Sequence, residues 1–170
     1  FYADRAELDG QLTDACWQAA EPLTEFVGLE ANVPAAFQTT ARVAYDDQAL
    51  YLAVFAADPD MAATRKHLEE LSKAWSGDSI EIFLDFDGDR RSYDQFIANV
   101  HGASWFAAFE APRKRRNREA DWTVAGALHA EGWSVEVAIP FQTLDLDGDL
   151  PPGERIGLNI CRNMKARDGR

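Results

Sequence analysis

Aspartates at alternate positions around a glycine are the densest chemical feature of the chain. Asp85-Phe86-Asp87-Gly88-Asp89 and Asp145-Leu146-Asp147-Gly148-Asp149 repeat the same pattern. This spacing directs several carboxylate oxygens at one hard cation of the calcium type, with the glycine tightening the loop. Neither run has the downstream glutamate of a complete EF-hand. A hairpin turn also accounts for the first run, because Asp-Gly is a favoured turn pair. A solvated loop also accounts for the second. Asp85, Asp87, Asp89, Asp145, Asp147 and Asp149 are therefore candidate ligands of a structural calcium.

Covalent catalysis finds less to work with. The sequence holds no Gly-x-Ser-x-Gly elbow, no cysteine and histidine at a known catalytic spacing, and no His-Glu-x-x-His. With 29 acidic residues, a pairing of Glu81 with Glu136 or Asp85 carries no weight as a glycosidase pair. The domain itself is expected to be non-catalytic. Cys16 and Cys161, the two cysteines, are too few for a zinc cage or a disulfide framework. They read as buried free thiols, or as one bridge between the chain's ends.

The elements that must position these residues are short and strand-rich. Residues 40–45 and 50–56 form β-rich runs around Asp46-Asp47 and predict a hairpin. Apolar residues on both faces of the second run place it between layers. Residues 78–86 alternate most clearly, with Ile80, Ile82, Leu84 and Phe86 on one face and Ser79, Glu81, Phe83 and Asp85 on the other. A turn at Asp87-Gly88 leads into a strand over 93–100. Further strands are predicted over 105–109, 122–129, 133–139 and 155–162. Helical segments are short: one carrying Trp17 with Thr13 as its N-cap, a surface excursion over 61–71, and one turn from Pro140 to Leu144. Hairpin spacing with short helices between strands predicts one all-β domain over 1–170, an antiparallel sandwich with short peripheral helices.

Charge and hydropathy exclude some partners. The net charge of -12 repels a phosphate backbone, so nucleic acid is not expected. No stretch approaches the ~20 consecutive apolar residues of a bilayer span, so no membrane partner is expected either.

Four phrases, in this order, carry a family likeness: Asp9-Gly10 with Asp14 and Trp17; Asp78-Ser79-Ile80-Glu81-Ile82-Phe83-Leu84-Asp85; Trp133-Ser134-Val135-Glu136-Val137-Ala138-Ile139-Pro140-Phe141 with Leu144; and Gly157-Leu158-Asn159-Ile160-Cys161-Arg162. Together they resemble the family 9 carbohydrate-binding modules and the wider DOMON-like sandwich group. The resemblance implies a jelly-roll-like β-sandwich, bound calcium, recognition of sugar chain ends, and covalent attachment to a polysaccharide-degrading enzyme that is secreted or at the cell surface or in the periplasm.

A pyranose presents C–H groups that pack on an aromatic ring and a rim of hydroxyls that need donors and acceptors. Trp75 and Glu81 match the family's pattern for one wall and one hydroxyl acceptor. Gln95, Asn99 and Arg162 are candidates for the polar rim, and Trp105 for a second platform. The family's second aromatic wall, usually from a strand late in the domain, has no counterpart in the residues up to Gly169-Arg170. The basic run Arg113-Lys114-Arg115-Arg116-Asn117-Arg118 suits a uronate or sulfated sugar, or is a solvated loop. Because some DOMON-like sandwiches bind haem b between Met and His, Met61, Met164, His67, His101 and His129 form an alternative ligand set. A ligand-free structural accessory domain is a third reading.

Overall fold

The computed structural model describes residues 5–29, 33–68, 74, 75, 77–110, 114–116, 120–144, 153 and 155–164. Its strands are β1 (Thr39–Tyr45), β2 (Ala49–Ala57), β3 (Ser79–Asp85), β4 (Tyr93–Ala98), β5 (Ser104–Glu110), β6 (Lys114–Arg116), β7 (Thr123–Leu128), β8 (Gly132–Pro140) and β9 (Gly157–Asn163). They form a four-stranded sheet in the order β1-β2-β8-β7 and a five-stranded sheet in the order β6-β5-β4-β3-β9. Every pairing is antiparallel. The helices are α1 (Ala15–Ala19), α2 (Met61–Leu68) and a 3-10 turn, Phe141–Leu144.

Period-two alternation explains how the two sheets stack. Leu50, Leu52 and Val54 of β2 and Trp133, Val135, Val137 and Ile139 of β8 face inward from one sheet. Ile80, Ile82 and Leu84 of β3, Phe96 of β4 and Ile160 of β9 meet them from the other. Each fully buried branched or aromatic side chain contributes about 1.5–3 kcal/mol relative to exposure. The two faces therefore hold the sandwich without a crosslink. The β1–β2 hairpin is fixed by Asp46, whose Oδ1 accepts from the Gln48 and Ala49 amides and whose Oδ2 accepts from Tyr51 Oη at 2.7 Å.

Several local features differ from the sequence reading. The residue at the N-cap of α1 is Asp14, not Thr13, and its side chain makes no capping hydrogen bond. Pro140 closes β8, so the following turn begins one residue later at Phe141. The basic run contains a short edge strand, β6, rather than loop alone. The excursion over α2 is only partly on the surface: Met61 lies in the core, and buried Thr64 donates through Oγ1 to Asp58 Oδ2 at 2.7 Å.

The outward face of the four-stranded sheet is covered by the chain's beginning. Tyr51 and Ala53 of β2 pack there with Ala6, Cys16 and Trp17. Fully buried Glu136, which points outward from β8, ties that segment down. It accepts from the Asp9 and Gly10 amides through Oε2, and from Trp17 Nε1 through Oε1 at 2.7 Å. Ser134, two residues earlier on the same face, donates to the Gly10 carbonyl. Gly10 has φ +81, and a Cβ on it would lie 2.6 Å from the Gly126 carbonyl carbon of β7. No other residue allows this approach.

Burial pushes the Glu136 carboxyl above its ordinary range, although the three donors favour its charged form. Glu136→Gln turns an amide N–H₂ toward donors and is expected to cost about 1–3 kcal/mol in urea unfolding at neutral pH. A carboxyl whose folded pKa is raised contributes stability that is fully present below its unfolded value of 4.5 and is lost as pH rises through the folded one. The deficit of the variant relative to the parent should therefore widen as pH falls from neutral toward 4.5.

Candidate functional site

The outward face of the five-stranded sheet is lined by a mixed set of aromatic and polar residues. Register places Cys161, Glu81, Ile97 and Trp105 in one row across β9, β3, β4 and β5. Asn159, Phe83, Gln95 and Ala107 form the next row. Directly opposed residues share a face, so both rows point away from the core side chains Ile80, Ile82 and Leu84.

Trp75 stands at the end of this face. It is 55% exposed, and its ring meets Trp105 edge-on at 5.9 Å and 77°. The two tryptophans, thirty residues apart in sequence, thus make one aromatic corner. Glu81 is half-buried and held on both sides: Gln95 Nε2 donates to its Oε2 at 2.8 Å and Asn163 Nδ2 to its Oε1 at 2.6 Å. Each carboxylate oxygen keeps a second lone pair, and both amides keep a carbonyl; Gln95 also keeps a second N–H, whereas Asn163 Nδ2 donates in addition to Ser79 Oγ at 3.3 Å. A cluster of this kind offers donors and acceptors together while fixing the direction of each.

Two sequence candidates are not brought to this face. Asn99 follows the last residue of β4 and is 1% exposed, with its Oδ1 accepting from the His101 and Ala103 amides. Its oxygen closes the β4–β5 turn, which is the local role that asparagine plays well. Arg162 lies opposite Ile80 and so points to the core side of β9. Its Nη1 donates to the Ala57 carbonyl at 2.8 Å, its Nη2 lies 4.0 Å from Asp58 Oδ2, and its guanidinium sits 5.8 Å from the Trp133 ring centroid. Alternation in β9 decides this: a residue next to outward Cys161 must face inward.

Sequence reasoning missed Asn163, Asn159 and Phe83 as members of the face. Phe83 was visible as part of the mixed face of β3. Asn163 was not, because only the pairing of β3 with β9 brings it to Glu81. Cys161 also opens on this face and is half-buried, whereas Cys16 is buried beneath the opposite sheet, and both are free. Burial raises the Cys161 thiol above its usual range, and the charge of Glu81 adds to this.

The carboxylates of Asp85, Asp87 and Asp89 place one oxygen each within 4.8 Å of one another in the β3–β4 turn. Backbone amides already use several of these oxygens: Asp85 accepts from Gly88 and Arg90, and Asp89 Oδ1 accepts from Arg91 and Ser92. Those amides of Ser92 and Arg91 hold the Asp89 carboxyl below its ordinary range. Asp145, Asp147 and Asp149 lie outside the described residues. For the haem alternative, Met61 is packed in the core, and His129 Nε2 lies 2.6 Å from Ser134 Oγ. Glu81 and Glu136 point outward from opposite sheets, with the core between them.

A family model described as carbohydrate family 9 binding domain-like matches residues 8–170. The chain belongs to this family. A family 9 carbohydrate-binding module from Caldicellulosiruptor kristjanssonii, solved with cellotriose, superposes with a TM-score of 0.67 at 21% identity, covering 96% of this chain and 74% of that one. The module from that organism solved with glucose gives a TM-score of 0.66 at 20% identity, covering 94% and 75%. Endo-1,4-beta-xylanase A of Thermotoga maritima is 25% identical over 161 residues, which is 92% of this chain and 14% of the enzyme. The family 9 chain thus spans a small fraction of that curated relative's length.

Within the family 9 domain, Asn99 and Arg162 are expected to act on stability. Asn99→Ala should cost about 1–3 kcal/mol by leaving two turn amides unpaired. Arg162→Met should cost on the order of 3 kcal/mol by removing a buried guanidinium that donates to the Ala57 carbonyl and lies beside buried Asp58. Urea unfolding of each variant checks both values.

Proposed function

We propose that this family 9 domain binds carbohydrate on the outward face of the five-stranded sheet, with Trp75 and Trp105 as the aromatic corner and Glu81, Gln95 and Asn163 as the hydroxyl-reading cluster. The observation that carries the reading is the combination of a half-exposed indole with a carboxylate oriented by two amides on one open sheet face. An indole replaces water against the C–H face of a pyranose, and the oriented cluster pairs its hydroxyls. The terminal ring of a glycan chain fits the corner best, because it presents both an open face and a free rim. The solved relatives hold cellotriose and glucose, which supports β-linked glucose as a first ligand to try.

The domain is an accessory module covalently linked to a secreted or cell-surface polysaccharide-degrading enzyme, a reading supported by its likeness to part of a xylanase. It carries no catalysis of its own in this reading. Among the described residues no helix is long and apolar enough to cross a membrane.

Titration calorimetry after a glycan array tests the site. Trp75→Ala is expected to weaken binding by on the order of 1–3 kcal/mol, whereas failure of the parent domain to bind any glycan would leave a ligand-free accessory role. A structural calcium held by Asp85, Asp87 and Asp89 is a second element of the proposal, supported by their three convergent oxygens. The ion would offset the mutual repulsion of these carboxylates. Excess EDTA should then lower the melting temperature and added calcium restore it; a melting curve indifferent to both removes the ion from the account.

A further inference from the structure

The aromatic residues of the open face do not end at the tryptophan corner. Tyr93 and Phe109 are register partners on β4 and β5, and their rings stack at 4.8 Å and 26°. Phe83 meets Tyr93 edge-on at 5.8 Å and 61°. All three side chains are half-buried and lie on the outward side, as Glu81 and Trp105 do. No sequence signal assigned them a role.

Along β5 the outward residues are Trp105, Ala107 and Phe109, and Ala107 is 2% exposed. Ala107 is thus covered by neighbouring side chains, and the face runs on from one ring to the other without opening into the sheet. Trp105 and Phe109 are four positions apart, which is about 13 Å along a strand. A single pyranose is shorter than this interval, and an oligosaccharide is not. Glu81 shares the row of Trp105, and Gln95 and Asn159 share the next row with Phe83, before the row of Tyr93 and Phe109, so polar groups and rings are interspersed along the face. An apolar protein partner would bury the half-exposed carboxylate and amides here without replacing their bonds to water, at a cost. A sugar chain, with stacked C–H faces and hydroxyl rims in every unit, meets both kinds of surface.

We infer that the open face is an extended platform on which the Trp75–Trp105 corner takes one ring of a β-linked glycan and the Phe83–Tyr93–Phe109 group takes a second ring of the same chain. This rests on the carbohydrate reading above and adds a second aromatic subsite to it. The domain therefore grips an internal length of glycan in addition to its end.

Calorimetry with two β-1,4-linked series, glucose to cellotetraose and xylose to xylotetraose, tests the inference. Affinity should rise by on the order of tenfold from the monosaccharide to the tetrasaccharide in at least one series. Tyr93→Ala and Phe109→Ala should abolish most of that rise while leaving monosaccharide affinity unchanged. Trp75→Ala should weaken every member. Because a strand variant can disturb the sheet, ring-proton resonances of Phe83 and Tyr93 in the parent domain give an independent reading. They should shift on adding tetrasaccharide and stay in place with the monosaccharide. Affinity that is flat with length, or a length-dependent gain that survives Tyr93→Ala, overturns the second subsite and leaves the tryptophan corner standing. Binding of neither series, with silent rings, overturns both.

Discussion

A sandwich of two sheets has four faces, and the constraint that shapes this one is that only one of them is left open for work. Two faces close on each other through β2, β8, β3 and β4. The third is sealed by the N-terminal segment, which a fully buried carboxylate, Glu136, holds against β8 by accepting from two amides and an indole. The remaining face, outward on β9, β3, β4 and β5, therefore carries the side chains that are free to meet a ligand. Burying a carboxylate is costly in itself, and three aimed donors are what make it tolerable. The seal and the site lie on opposite sides of one molecule, and the first explains why the second is singular among the described residues.

The open face shows how a rigid sheet holds weak polar and aromatic groups in fixed positions, which is what the proposed sugar site requires. Glu81 alone would be an ordinary exposed strand carboxylate. Gln95 and Asn163 fix both of its oxygens from the neighbouring strands, so in the proposed reading the geometry that would meet sugar hydroxyls is set before a ligand arrives. Such preorganisation lowers the entropy lost on binding. Trp75 and Trp105 restrain each other by edge contact in the same way. The scaffold also decides which groups stay out: Arg162, adjacent to outward Cys161, is turned into the core, where it joins β9 to the Ala57 carbonyl and Asp58.

The β3–β4 turn adds charge at one end of this face. Asp85 and Asp89 accept backbone amides of the turn, so the hairpin already holds its aspartates in fixed positions. Turn geometry and the proposed cation site would draw on the same carboxylates here, which is why the spacing alone served either reading. The short β6 edge strand pairs Lys114–Arg116 with β5 along its edge.

The sequence by itself determined the strands other than the edge strand β6, their inward faces and the family phrases, because period-two alternation and turn residues are local properties of the chain. It distinguished the inward Ile80, Ile82 and Leu84 from the outward Glu81 and Phe83, and it singled out Trp75, Trp105 and Gln95. Only the tertiary structure decided that Asp9-Gly10 and Trp17 converge on Glu136, that Asn163 joins Glu81, and that Phe83, Tyr93 and Phe109 meet on one face. These contacts depend on which strands pair and in what register, and pairing between distant strands leaves no local trace in the residues that make it. Asn99 shows the same limit at closer range: alternation put it on the outward face, but β4 ends one residue earlier and the turn claims its side chain.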